Sequence, residues 1–194
     1  MDRIRTGVVI AGYFLWAVIA AFSTVYSVSA PPSIKAVAPT ETQIKEQMIR
    51  ERHDRETARR VERSVIAARA VYRSVGCRMA ERDGLSVLTG RAAYEYGIPA
   101  RLLAAIVYVE SSCNPRAISG KDSIGLTQVN PRVWGHRDQL TDPEFNIHLG
   151  AKILAGYIRH YGLVEGLHHY NGLGDPSDTY ARRVLAAGAI EWPS

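Results

Sequence analysis

The sequence is poor in the materials that several kinds of function require. Its 194 residues include only two cysteines, Cys77 and Cys113. Neither stands in a pattern with metal-ligand spacing, which argues against a zinc or iron–sulfur module, and no metal or cofactor is expected. No low-complexity tract interrupts a composition that is 46% hydrophobic and 22% charged. From residue 85 onward there is no excess of either charge, because ten Lys/Arg face ten Asp/Glu. The net charge of +5 therefore belongs to residues 1–84, where fourteen basic residues meet nine acidic ones. An excess confined to one segment marks a solvated or membrane-proximal stretch more often than a nucleic-acid groove, so no nucleic-acid partner is expected. Convincing strand patterns are also missing from the second half.

What the chain does contain is one long uncharged run. Thr6 to Ile34 carries no charge, its centre from Val8 to Phe22 is strongly apolar, and Arg3 and Arg5 precede it. Roughly 20 apolar residues span a bilayer as a helix, and flanking arginines keep the N-terminus cytoplasmic. Residues 7–29 are thus expected to anchor the chain in the inner membrane in a single pass, with the remainder exported. The alternative is secretion after cleavage behind Val28-Ser29-Ala30, which Pro31 opposes. Two thiols in an exported chain suggest a Cys77–Cys113 disulfide, and two unpaired buried cysteines are the competing reading.

The rest reads as helices and loops. After a proline-containing linker, Thr40 to Arg73 is expected to form one long helix with Thr40 as N-cap. Pairs such as Glu46/Arg50, Glu51/Arg55 and Glu56/Arg60 stand at i,i+4 spacing. Apolar residues are sparse until Val61, Val65, Ala68 and Tyr72, so the first part is a solvated spacer and the second docks on something. Helices are then expected over Leu85–Tyr96, Pro99–Glu110, Pro143–Tyr161 (capped by Asp142) and Asp178–Ala187. Two loop regions, 113–134 and 170–177, are long enough to suggest function. The expected division is 1–30 anchor or signal, 31–73 linker and charged helical spacer, and 74–194 a small all-α domain.

Glu110 is the residue with the strongest chemical suggestion. Leu103, Ile106 and Val107 precede it by a helical turn or two, so its carboxylate projects from an apolar face. Desolvation there, and the C-terminal end of the helix dipole, both raise a carboxyl pKa. An acid still protonated near neutral pH is what protonating a glycosidic oxygen demands. On pattern alone, a surface glutamate ending its helix is the commoner outcome.

The residues that follow alter that balance. Glu110-Ser111, Asn114-Pro115, Ser119, Gly125-Leu126-Thr127-Gln128 and Asn130-Pro131 stand in order, with Ser119 nine and Gln128 eighteen residues after Glu110. Asp142 to Ile147, Leu149-Gly150-Ala151, Tyr170-Asn171-Gly172 and Tyr180 to Leu185 follow. Over about Leu85 to Leu185 this pattern resembles the soluble-lytic-transglycosylase family of peptidoglycan lyases. The resemblance implies a lysozyme-like fold in the periplasm, and Glu110 as a single acid/base acting on peptidoglycan strands. The bond cleaved would be the β-1,4 link between N-acetylmuramic acid and N-acetylglucosamine, without water, leaving 1,6-anhydromuramic ends. It further implies substrate-binding roles for Ser111, Ser119, Gln128, Tyr170, Asn171 and Tyr180, the last as the candidate to hydrogen-bond Glu110 or the substrate acetamide. Each has a structural rival: a plain helix end for Ser111, a turn residue for Asn171, a core tyrosine for Tyr180. Thr127 stands where the family commonly has Met, and is expected to pack near the sugar. Trp134 could stack on a sugar, but a lone Trp after a loop is more often core, and His168-His169 are read as surface. Asp122, Asp138, Asp142, Asp175 and Asp178 are read as loop and cap residues. The competing activity is a lysozyme-like muramidase hydrolysing the same bond. The setting is either bacterial wall-crossing machinery or a phage lysis protein.

Overall fold

The computed structural model describes residues 39–78, 84–172 and 177–193. The expected membrane segment, its candidate cleavage site, most of the proline linker and Asp175 lie outside the described residues. Among the described residues, no helix is long and apolar enough to cross a membrane.

Every regular element described is helical. The first, α1 (Glu41–Ser74), is held at its start by reciprocal bonds. The Gln43 amide donates to Thr40 Oγ1 (3.3 Å) while Gln43 Oε1 accepts from Thr40 N (2.8 Å), which satisfies two otherwise unpaired groups of the first turn. Two of the expected ladder pairs form, Glu51–Arg55 at 3.4 Å and Glu56–Arg60 at 2.5 Å. Both are exposed, and solvent screening leaves them a small part in stability. By its internal contacts the chain divides after Ile44, and the unit Lys45–Ser194 carries all that follows.

The far end of α1 is the part that docks. Ala68, Val71 and Tyr72 are buried, and Tyr72 shares a 2.7 Å hydrogen bond with Thr89 on α2 (Leu85–Tyr96). At Gly90 the two backbones approach so closely that a Cβ would lie 2.6 Å from Val65 Cα. The docking partner expected from the Val65–Tyr72 stripe is thus α2. Beyond it, α3 (Ala100–Ser111), the short α4 (Pro131–Trp134), a 3-10 turn (Arg137–Gln139), α5 (Pro143–Tyr161), α6 (Leu163–Asn171) and α7 (Thr179–Ala187) complete the described fold. Helix α5 packs on α2 and α6, α3 on α2 and α7, and α6 on α7. Leu102, Leu103, Ile106 and Val107 bring α3 into the centre of the core.

Helix α6 departs from expectation, since Tyr170 and Asn171 were assigned to a loop. They form instead the last turn of a nine-residue helix that begins immediately after α5. Gly162, at φ 82° and ψ 178°, turns the chain between the two helices within a single residue. Gly166 weakens the helical signal, but a Cβ there would lie 2.9 Å from Ile158 N. Close packing against α5 therefore requires the residue that hides the helix.

Candidate active site

Glu110 occupies the penultimate position of α3, which stops because Ser112 adopts a left-handed conformation, φ 50°. The next residue, Cys113, is also left-handed (φ 66°) and fully buried. It is joined by a disulfide to Cys77, just beyond α1. Two further ties hold this helix end. The Ser111 hydroxyl lies 2.8 Å from the Val107 carbonyl and 2.9 Å from the Leu126 carbonyl, and donates toward both. One proton thus couples the last turn of α3 to the loop that crosses it.

The Glu110 carboxyl is half-buried and receives a 2.5 Å hydrogen bond from the Tyr180 hydroxyl. Three influences act on its acidity. Burial is the largest and holds its pKa above the ordinary carboxylate value. The Tyr180 hydrogen bond and the charge of Arg183 oppose it, and burial prevails. Tyr180 is buried, and desolvation together with the neighbouring Glu110 charge keeps its phenol well above its usual range. Tyr180 therefore stays a neutral donor. Tyr170 is also close enough for Glu110 to act on it, and donates a 2.9 Å hydrogen bond to the Thr127 carbonyl. Among the described residues, no carboxylate acts on Glu110.

The loop between α3 and α4 is a frame built around Asn146. Ile124 and Val129 exchange backbone hydrogen bonds of 2.9 and 3.1 Å, closing the turn Gly125-Leu126-Thr127-Gln128. Asn146, buried on α5, donates to the Ile124 and Leu140 carbonyls, both at 2.9 Å. Its Oδ1 accepts from Thr127 N and Thr127 Oγ1, both at 2.8 Å. Gly125 is obligatory here, since a Cβ would sit 2.3 Å from both Asn146 Nδ2 and the Leu140 carbonyl. Thr127 is fully buried against Gly150, where a Cβ would meet Thr127 Oγ1 at 2.3 Å. The expectation that Thr127 packs near the sugar is therefore corrected. Its side chain belongs to the scaffold, and its carbonyl holds Tyr170.

Beside Tyr170 lies a groove of about 300 Å³, lined among others by Gln128, Asn130, Trp134, Tyr157, His169 and Asn171. Tyr170 links this groove to Glu110. Gln128 faces it, but its amide nitrogen is taken by the Ala117 and Gly125 carbonyls at 3.1 and 2.9 Å. Ser119 does not line the groove; its hydroxyl accepts from Ser123 N at 3.1 Å. Trp134, read as core, is 40% exposed at the groove wall. The two histidines, read as surface, are half-buried. His169 stacks on Tyr161 at 3.7 Å, and His168 lies between Glu165 and Asp178, at 3.3 and 2.9 Å. Asp142 caps α5 through Phe145 N at 2.8 Å, as expected. Among the described residues, no group of three or more His, Cys, Asp or Glu could hold a metal.

Two features here were not read from the sequence. Arg183 stands one helical turn beyond Tyr180, and that spacing was its only signal. The hub role of Asn146 had none beyond its place in the Asp142–Ile147 segment.

An all-helical domain with a desolvated glutamate at a helix end and a groove nearby has the architecture of the lysozyme-like class. The family described as "Transglycosylase SLT domain" matches residues 88–186, about half of the chain, and the chain belongs to that family. It is similar to the "Membrane-bound lytic murein transglycosylase C" of Serratia proteamaculans, 40% identical over 78 residues, covering 34% of this chain and 22% of the relative. A "Transglycosylase" of Enterobacteria phage PRD1 is 37% identical over 78 residues, covering 39% and 29%. An "Endo-type membrane-bound lytic murein transglycosylase A" of Cronobacter sakazakii is 29% identical over 93 residues, covering 41% and 45%. The aligned part spans less than half the length of each of these relatives.

Proposed function

We propose that the protein is a peptidoglycan lytic transglycosylase with Glu110 as its single acid/base. The observation that carries this reading is the Glu110–Tyr180 hydrogen bond at a carboxyl whose pKa burial raises. Protonated Glu110 delivers its proton to the glycosidic oxygen between N-acetylmuramic acid and N-acetylglucosamine, and the bond to C1 of the muramic sugar breaks. The sugar's own 2-acetamido group stabilises the positive centre. Glu110, now a carboxylate, removes the proton of the C6 hydroxyl, and that oxygen bonds to C1. The product is a 1,6-anhydro end, the glutamate regains its proton, and no water enters. Tyr180 orients the carboxyl through both steps. Tyr170, Asn171 and Gln128 contact the strand in the groove, and Ser111 keeps the α3 end in place. Residues 7–29 anchor the enzyme in the inner membrane with the catalytic domain in the periplasm, near the wall it cleaves.

The test is mass spectrometry of muropeptides released from purified sacculi. Wild type should release products lighter by one water than those of a hydrolase, and Glu110→Gln should release none while staying folded. Hydrated products would establish the muramidase reading instead. Undiminished cleavage by the variant would remove Glu110 from the mechanism.

A further inference from the structure

A second concavity of different chemical character lies beside the groove. The segment 130–137 forms the wall between them. Asn130, Val133 and Trp134 line the groove. On the other side Arg132, His136 and Arg137, together with Asp122, line a shallow basin of about 420 Å³. The two arginines converge on one carboxylate oxygen. Arg137 Nη2 donates to Asp122 Oδ2, and Arg132 Nε lies 3.6 Å from the same atom. Both side chains stay open to solvent, at 54% and 78% exposure. Each guanidinium offers five N–H donors, and Asp122 engages one nitrogen of each. Lys121, adjacent in sequence, lines the groove and is the sole residue there with a fixed charge. Two guanidiniums thus share one carboxylate, with Lys121 at the adjoining groove, although basic and acidic residues balance over 85–194. The nearby Asp138 lines neither concavity.

The groove, lined with amides and rings, suits a neutral sugar. The basin suits an anion, and an exposed guanidinium pair suits carboxylates in particular, through planar two-point contacts. We propose that the basin and Lys121 bind carboxylates of the peptide stems carried by the glycan, so that peptide-bearing strands are preferred over bare ones. This rests on the glycan-lyase reading above, because a muramic sugar seated in the groove brings its stem to the adjoining surface. Asp122 gathers the two guanidiniums beforehand, which reduces the side-chain ordering left to binding.

Full-length Glu110→Gln protein tests this by binding without cleavage. It is sedimented with intact sacculi and with sacculi stripped of stem peptides by an amidase. Binding to intact sacculi should be about three- to tenfold tighter, as expected of a few exposed ion pairs, and the difference should shrink as salt rises. Adding Arg132→Gln and Arg137→Gln should bring intact sacculi down to the stripped level. Arg132→Lys with Arg137→Lys should keep only part of the preference, because the charge stays while the planar two-point contact is lost. Equal binding of the parent protein to both sacculi, which requires no basin variant, overturns the proposal. So does a Gln pair that weakens both substrates alike. Failure of the lyase reading would appear separately, as absence of anhydro products from wild type.

Discussion

Replacing Asn146 with leucine tests whether the loop next to Glu110 is held by one buried amide. The two side chains are similar in size, so the change removes hydrogen bonds with little change in volume. Four side-chain bonds of 2.8–2.9 Å are lost. Their consequences differ. The Ile124 carbonyl keeps a bond from Val129 N (3.1 Å), and the Thr127 hydroxyl keeps the Asn146 backbone carbonyl (3.0 Å). The Leu140 carbonyl and the Thr127 amide lose the partner each has here. Two stranded buried groups at about 1–3 kcal/mol each give an expected loss of about 2–6 kcal/mol, a large share of a domain's total stability. Urea unfolding followed by far-UV circular dichroism measures it, with an unchanged m-value showing that the denatured state is not what moved. A double-mutant cycle with Thr127→Val should show coupling, since the two residues share bonds. A loss below about 1 kcal/mol, with the variant folded and Tyr170 undisturbed, would refute the idea of a buried amide hub.

Three further outcomes follow from the same geometry. Tyr180→Phe removes the donor that favours ionised Glu110, so the pKa of Glu110 should rise further; carbon NMR of labelled glutamate reads this directly, and a fall would contradict the assignment of the bond. Glu110→Gln should stabilise the fold at neutral pH by about 1.4 kcal/mol per unit of the raised pKa. A raised folded-state pKa weakens the fold as pH climbs from the unfolded value near 4.5 through the folded one. The gain should therefore vanish in acid, and a pH-independent effect would count against it. Replacing Cys77 and Cys113 together with alanine opens a link across 36 residues, which chain entropy values at about 3–4 kcal/mol. Equal urea midpoints for the variant and the oxidised parent would show that the bond adds nothing.

Elements bounded by their own sequence were legible before the structure. Helix α5 begins with an aspartate that caps and a proline in the first turn, and it ends at a glycine, so Pro143–Tyr161 could be read to the residue. Helix α1 announced itself through charge pairs one turn apart. Helix α6 carries no such boundary, because Gly162 serves as the end of one helix and the start of the next. In the site, Glu110 and Tyr180 are 70 residues apart, and no periodicity connects them; the family pattern supplied that pairing. Exposure is a tertiary property, so the place of the Trp134 ring at the groove wall could not be read from its residue type.

The scaffolding uses of Gln128 and Thr127 bear on where specificity resides. The Gln128 amide hydrogens already bond the Ala117 and Gly125 carbonyls, so giving them to a ligand costs the loop those two ties, although each carbonyl keeps a backbone donor. The polar residues of the motif therefore fix the loop, and the loop fixes Tyr170 through the Thr127 carbonyl. On the proposed reading, recognition passes to what the groove displays: the Trp134 ring, the Tyr170 ring and the Gln128 side-chain oxygen. Glu110 depends on α7. Tyr180 and Arg183, three apart on α7, both favour its ionised form, so a shift of α7 against α3 would change both influences together. The acidity of the glutamate is thus set by how two helices dock, and the shape of its substrate groove by one asparagine on a third.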